Sequence, residues 1–216
     1  MSSLSSKLPP EWISLPGLTE YNDALELMHK RVQDIIEGSK NETVFLVEHL
    51  DVYTAGTSYK DDELINCKGI PVIYTGRGGK FTYHGPGQRV IYPILNLEGN
   101  NRSKDLRLYV RLLEQLIINT LKEIGVKAYT LDKKIGVWTN IDNNIPAKIG
   151  AIGVRVKKYV TYHGAAINIT TDLNKYKGII PCGINDYPVT SLASIGIDIS
   201  MEDFDYLLKQ EFNKLF

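Results

Sequence analysis

Apolar residues recur at helical spacing in three stretches of the chain and at strand spacing between them. Tyr21, Ala24, Leu25, Met28, Val32, Ile35 and Ile36 share one face of a 3.6-residue period, which predicts an amphipathic helix capped by Thr19 and ended by Gly38. Leu106, Tyr109, Val110, Leu113, Leu116, Ile117, Leu121 and Ile124 predict a second helix, closed by Gly125. Phe204, Leu207, Leu208, Phe212 and Leu215 predict a third, with Ser200 as its cap. Between the first two helices, residues 43–47, 52–54, 71–74 and 90–97 are β-branched or alternating and read as strands. Beyond the second helix, residues 126–129 and 136–139 read as strands, and a turn at 141–145 leads into 146–156, with a return over 159–169. The middle of the chain is therefore a meander. Residues 1–19, rich in Ser and Pro, form an extended lead-in whose order the sequence leaves open. Long helices separated by clusters of strands predict an α+β fold with a mixed α/β sheet, in one domain spanning residues 1–216.

Composition narrows the class. The 216 residues carry 25 basic and 25 acidic side chains, so the chain lacks the basic excess expected of a nucleic-acid binder, and 43% apolar residues suit a soluble globular protein. No apolar run is long enough to span a membrane. Two cysteines, Cys67 and Cys182, do not make a disulfide framework and fit a reducing, cytoplasmic setting. The short basic runs Lys133-Lys134 and Arg155 to Lys158 read as solvated surface or as a landing place for an acidic protein.

The stretch least like a generic core is YTGRGGKFTYHGPGQRVIYPILNL at residues 74–97. Its glycines, with Arg77 and Lys80 among them, suit a ligand lying directly against main chain, and the pattern places this loop between the strands at 71–74 and 90–97. The tetrapeptide Thr-Tyr-His-Gly occurs at 82–85 and again at 161–164, which suggests paired walls of one site, the alternatives being chance or a weak internal duplication with each histidine a hydrogen-bonded core residue. Neither His84 nor His163 has a carboxylate or thiol at metal-ligand spacing, and His49 reads as structural. Cys67 reads as an incidental thiol. Cys182, between Pro181 and Gly183, is either a presented nucleophile or a buried turn residue. Lys148 interrupts a small, apolar strand and either snorkels to solvent or is held in a site.

Three stretches together resemble the octanoyltransferases of lipoate biosynthesis, the lipoyl(octanoyl) transferase or lipoate-protein ligase B family. They are RGGKFTYHGPGQ at 77–88, KIGAIGVRV at 148–156 with the following YHGAAINI, and PCGINDYPVTSL at 181–192. VEHLDVYTAG at 47–56 and GVWT at 136–139 extend the likeness, which covers most of residues 44–192. Gly150 stands where alanine is more usual. The resemblance implies a fold shared with biotin protein ligases and lipoate-protein ligases. It also implies transfer of an octanoyl group from octanoyl-acyl carrier protein to a lysine of lipoyl domains, those of 2-oxoacid dehydrogenase complexes and of the glycine cleavage H protein. Cys182 would be the acyl-accepting nucleophile and Lys148 the residue that lowers its pKa and moves protons. Arg77, Gly78, Gly79, Lys80, Phe81, Thr82, Tyr83, His84, Ala151, Ile152, Gly153, Gly164, Ala165 and Ala166 would wall the acyl pocket. A bulky side chain at Gly78 or Gly164 would then block acylation more than it unfolds the protein. The resemblance implies no cofactor and no metal, a monomer, and no nucleic-acid or membrane partner. Two rival readings are an ATP-dependent lipoate or biotin ligase, which would release AMP, and a non-catalytic module that binds acyl carriers or lipoyl domains.

Overall fold

The computed structural model describes residues 8–99, 102–183 and 187–216, with the side chain of Cys182 outside what is described. The chain runs β1 (Glu11–Thr19), α1 (Tyr21–Ile36), β2 (Thr43–His49), β3 (Val52–Ala55), β4 (Val72–Tyr74), β5 (Phe81–His84) and β6 (Gln88–Ile94). It continues through α2 (Leu106–Glu123), β7 (Ala128–Leu131), β8 (Lys134–Ile141), β9 (Ile145–Lys157), β10 (Val160–Asn168) and α3 (Met201–Leu215). Among the described residues the strands form a seven-stranded sheet in the order β1-β2-β6-β10-β9-β8-β7 and a three-stranded sheet in the order β4-β3-β5. The large sheet is antiparallel except for the β1–β2 pair, and β3 runs parallel to β4 and antiparallel to β5. The expected α+β architecture with mixed sheets is what the chain adopts.

Both faces of the large sheet are covered, so side chains on both faces of β2 and β6 are buried. Alternate side chains leave β2 on opposite faces. Val44 and Leu46 join Leu113, Leu116, Ile117 and Leu121 of α2 and Phe204, Leu208 and Phe212 of α3, while Phe45 and Val47 join Ala24, Met28 and Val32 of α1. The small sheet buries Tyr53, Ala55, Phe81 and Tyr83 against Tyr176 and Ile179.

The helix ends follow the sequence signals. Gly38 and Gly125 take φ of +71° and +78° just beyond α1 and α2, and the Ser200 hydroxyl accepts the Asp203 N–H at 3.0 Å to cap α3. Thr19 does not cap α1. The N-cap is Glu20, with no side-chain capping bond, and Thr19 closes β1 with its carbonyl, which accepts from the His49 Nδ1–H at 2.9 Å and the Leu50 N–H at 3.2 Å.

One open point closes and one expectation changes. The lead-in is ordered from Glu11: it is an edge strand parallel to β2, with Trp12 edge-on to Phe212 at 5.1 Å and Ile13 and Leu15 packed on the α1 side. The glycine-rich stretch is not one loop between two neighbouring strands. It contains β5, and its flanking strands β4 and β6 belong to different sheets, so the stretch bridges the two sheets.

Candidate active site

Residues 76–80 are held by main chain on both sides. The N–H groups of Thr57 and Ser58 donate to the carbonyls of Arg77 and Gly79 at 2.9 and 3.1 Å, and the Gly78 N–H donates to the Val154 carbonyl of β9 at 3.0 Å. Arg77 is buried and spends its guanidinium on this frame. Its Nε and NH2 donate to Thr54 Oγ1, NH2 donates to the carbonyls of Thr54 and Lys80 at 2.6 and 2.8 Å, and NH1 donates to the Gly78 carbonyl at 3.0 Å. A buried guanidinium whose donors are used this way fixes the loop as a rigid lip.

The lip, β5, β9 and β10 enclose a cleft of about 450 Å³, inside the usual range for small-molecule sites. Of the residues expected to wall it, Arg77, Gly78, Gly79, Lys80, Thr82, His84, Ala151, Ile152, Gly153, Gly164, Ala165 and Ala166 do line it. Phe81 and Tyr83 do not. They alternate with Thr82 and His84 along β5 and so point to the opposite face, into the core beneath the small sheet. Nine further lining residues were not anticipated: Tyr21 from α1, Val90 and Tyr92 from β6, Leu106 and Val110 from α2, Val154 from β9, and Lys133, Lys134 and Ile135 at the mouth. Tyr21 and Tyr92 carry the same apolar spacing as their core neighbours, and nothing in the pattern separates them. The pair Lys133-Lys134 is solvated, as expected, but it stands at the entrance.

The two Thr-Tyr-His-Gly segments meet at this cleft, His84 from the small sheet and His163 from the large one. His163 has φ of +56°, a left-handed conformation that strains a non-glycine residue by roughly 1–3 kcal/mol. At this point β10 leaves the ladder with β6, and Thr161 Oγ1 patches the gap by donating to the Pro93 carbonyl at 2.8 Å and accepting the Leu95 N–H at 3.0 Å. The left-handed backbone turns His163 toward Tyr21, whose hydroxyl lies 3.4 Å from Nδ1. His49 stands behind them. Its Nδ1 must carry the proton because its partner is the Thr19 carbonyl, so Nε2 accepts from the Tyr92 hydroxyl at 2.8 Å.

All three imidazoles are held neutral. Burial pushes His49 down to about 4 and His163 down to about 3, with Arg77, His29 and Arg155 adding to the effect on His163. Burial, then His49 and Arg77, hold His84 well below the usual histidine value. Gln88 Nε2 donates to Tyr83, Asn168 and Tyr176, which leaves its Oε1 to accept the His84 Nδ1–H at 2.7 Å. His84 and His163, which line the cleft, can thus orient a substrate by hydrogen bonding. They supply no positive charge near neutral pH.

Lys148 is a second buried cation of the cleft beside Arg77. It is 6% exposed, its Nζ donates to the Ile135 carbonyl at 3.0 Å, and the ammonium lies 4.8 Å from the centre of the Trp138 ring. The geometry depends on β8, where the register slips between Val137 and Trp138 so that Trp138 faces Lys148. Gly136 makes room: its φ is +127°, and a Cβ there would come within 2.7 Å of the Gly150 carbonyl and 3.2 Å of Lys148 Cε. Lys148 lines the main cleft and also a small gap bounded by Thr82, Asn168, Pro181 and Val189. Its backbone pairs with the segment after the cysteine, accepting the Thr190 N–H and donating to the Pro188 carbonyl, both at 2.9 Å. Tyr187 meets the Trp138 ring edge-on at 5.5 Å, with Lys134 over its other side. Cys182 itself lies in the short 3₁₀ turn Pro181–Gly183, and the expected approach of its thiol to Lys148 falls outside the described residues. Among the described residues no three His, Cys, Asp or Glu side chains converge as a metal site.

A family model described as the lipoyl protein ligase A/B catalytic domain matches residues 20–213. The octanoyltransferase of Rickettsia bellii (strain OSU 85-389) is 59% identical over 206 residues, 95% of this chain and 99% of that protein. Among solved structures, the archaeal lipoylation system of Thermoplasma acidophilum, a bi-partite lipoate protein ligase and its E2 lipoyl domain, matches with a TM-score of 0.70 at 16% identity, covering 96% of this chain and 84% of that one. Biotin protein ligase from Aquifex aeolicus matches with a TM-score of 0.54 at 13% identity, over 96% of this chain and 69% of that one. At such identities the two structures speak for the fold alone, whereas the Rickettsia relative and the family match extend to the activity. The chain belongs to the lipoyl protein ligase A/B family and, within it, to the octanoyltransferases, the acyltransferases of lipoate biosynthesis.

Proposed function

We propose that the chain takes the octanoyl group from octanoyl-acyl carrier protein onto Cys182 as a thioester and passes it to a lysine of lipoyl domains. The acceptors would be those of 2-oxoacid dehydrogenase complexes and the glycine cleavage H protein, and the enzyme would act as a cytoplasmic monomer. The observation that carries the reading is Lys148, buried at 6% exposure, shared between the main cleft and the gap against Pro181, and hydrogen-bonded through its backbone to the segment that follows Cys182. An ammonium within about 4–6 Å favours a thiolate. The Cys182 thiolate attacks the donor thioester carbonyl, the carbon–sulfur bond to the pantetheine arm breaks, and Lys148 gives the departing sulfur a proton. The acceptor lysine then attacks the acyl-enzyme, an amide forms, the Cys182 thiolate is released, and the neutral Lys148 amine takes the proton the incoming amine sheds. Each half-reaction leaves Lys148 in the state the other needs. Because the donor is already a thioester, the transfer draws on no ATP. The lip of residues 76–80 and the small side chains of Ala151, Gly153, Ala165 and Ala166 leave a narrow channel for an unbranched acyl chain.

Intact-mass measurement after incubation with octanoyl-acyl carrier protein tests the intermediate. A single octanoyl adduct, removed by hydroxylamine and absent in Cys182→Ala, is expected; transfer that survives Cys182→Ala would end the thioester reading. Lys148→Ala should slow both half-reactions and move Cys182 alkylation upward in pH, toward the ordinary thiol value of about 8.5. Release of AMP with free octanoate as the sole donor would instead make the enzyme a ligase.

A further inference from the structure

Lys80 lines the cleft, but its ammonium is committed to Glu63, which is 4% exposed in the turn Asp61–Glu63. Glu63 is tied to the segment carrying Cys182 in two ways. Its carbonyl accepts the Ile180 N–H at 2.7 Å, next to a β-bridge between Leu64 and Ile179. Its carboxylate and the Lys80 side chain also press against Gly183: a Cβ there would collide with the Lys80 ammonium and lie 2.6 Å from Lys80 Cδ and 2.8 Å from Glu63 Oε1. Gly183 has φ of +64°, and its N–H donates to the Ile180 carbonyl at 3.1 Å, so the turn closes on itself directly over the ion pair. Both flanks of Cys182 are thereby referenced to one residue, Glu63, on a different element and far away in sequence.

We propose that the Glu63–Lys80 pair is a positioning device for the cysteine turn, setting where Cys182 sits relative to Lys148 without itself contacting the acyl group. This assigns Lys80 a role other than a pocket wall, and it rests on the reading that Cys182 becomes acylated. Reacting groups displaced by about 1 Å lose rate by as much as a hundredfold, so a loosened turn lowers the rate of the covalent step. Donor binding, set by the rest of the cleft, stays as it was.

The test is single-turnover acylation of the full chain by octanoyl-acyl carrier protein, followed by intact mass across donor concentrations, for wild type, Lys80→Met, Glu63→Gln, the double variant and Lys80→Arg. Lys80→Met and Glu63→Gln should each lower the limiting acylation rate by about tenfold or more, with the half-saturating donor concentration within about twofold of wild type. The double variant should fall no further than the slower single one, because both remove the same brace. Lys80→Arg, which keeps a cation for the carboxylate, should recover most of the loss. If Glu63→Gln does not fold, the two Lys80 variants carry the comparison. An unchanged limiting rate, a loss seen only as a higher half-saturating concentration, or a double variant with the product of the single losses would each overturn the proposal. A wild-type enzyme that forms no Cys182 adduct would overturn the thioester reading instead. In that case the brace is still read from the rate of Cys182 labelling by iodoacetamide, which must change at least about threefold in Lys80→Met for the brace to stand.

Discussion

Gly78 and Gly164 line the same cleft, yet a side chain would meet different things at the two positions. A Cβ at Gly78 finds only the Val154 carbonyl, at 3.4 Å, whereas one at Gly164 runs into the Ile91 carbonyl and lies 2.7 Å from Pro93 Cδ. Gly164 is small because β6 lies against it, and Gly78 is small because the cleft does. Gly78→Val should therefore keep stability within about 1 kcal/mol while cutting acylation, and Gly164→Val should cost about 3 kcal/mol or more whatever it does to the chemistry. Denaturant unfolding alongside single-turnover mass spectrometry separates the two. A Gly164→Val protein of unchanged stability would show that β6 gives way. This divides one sequence-level expectation in half, and the reason generalises. A glycine motif records that something approaches the backbone, and only the fold shows whether that is a ligand or another strand. Phe81 and Tyr83 teach the same lesson for a strand, since a contiguous motif in β5 must send alternate side chains to opposite faces.

The elements that the sequence reveals are those with a long period. α1, α2 and α3 each carry a stripe that repeats over four turns, with glycine or serine at an end, and they lie where the pattern puts them. β1 and β5 were hidden for physical reasons. EWISLPGLT contains Pro16 and Gly17, which break alternation but are tolerated on an edge strand, and Gly17 sits at φ +62° within the register shift between Ser14 and Leu18. β5 is four residues long and lies between glycines, too short for a periodic signal. Removing residues 1–19 should cost more than 1 kcal/mol. It bares the β2 edge, strips Trp12 from Phe212 and takes away the carbonyl that orients His49. A fall of more than about 3 °C in the midpoint of thermal unfolding is expected, and an unchanged midpoint would mean β1 adds nothing. Inside the sheet, Gly150 of β9 is an unneeded glycine. A Cβ there meets Val137 Cβ at 3.4 Å, the Ala166 carbonyl at 3.5 Å and Ile117 at 3.8 Å, and its φ is not left-handed. Gly150→Ala should stabilise the fold by about 0.4–1 kcal/mol, seen as a higher denaturant midpoint at unchanged slope.

For the molecule as a whole, burying three neutral imidazoles, His84 and His163 at the cleft and His49 behind them, makes stability depend on acidity. His49 and His163 have folded values of about 4 and 3, and His84 lies well below its ordinary value, whereas the unfolded chain titrates them near 6.5. The unfolded state therefore binds more protons than the native state below about pH 6.5, and stability falls as the pH falls, by about 1.4 kcal/mol per pH unit for each histidine. Asp205 has the opposite sign. Burial, against the pull of Arg89, pushes its carboxyl up to about 6, so between roughly pH 4 and 6 the native state holds a proton that the unfolded state has lost, which cancels about one histidine. The remaining slope of about two protons amounts to roughly 4 kcal/mol between pH 7 and pH 5, comparable to the whole stability of a typical domain. Urea unfolding at half-unit steps from pH 7.5 to 4.5 should show this steepening below pH 6.5. His163→Asn, which tolerates the left-handed backbone at that position, should lower the slope by about one proton. A midpoint that does not move with pH over this range would mean that the three imidazoles take up protons in the folded state. His84 and His163 could then no longer be neutral hydrogen-bonding walls of the cleft, and Lys148 would no longer be its sole buried cation besides Arg77 among the residues described.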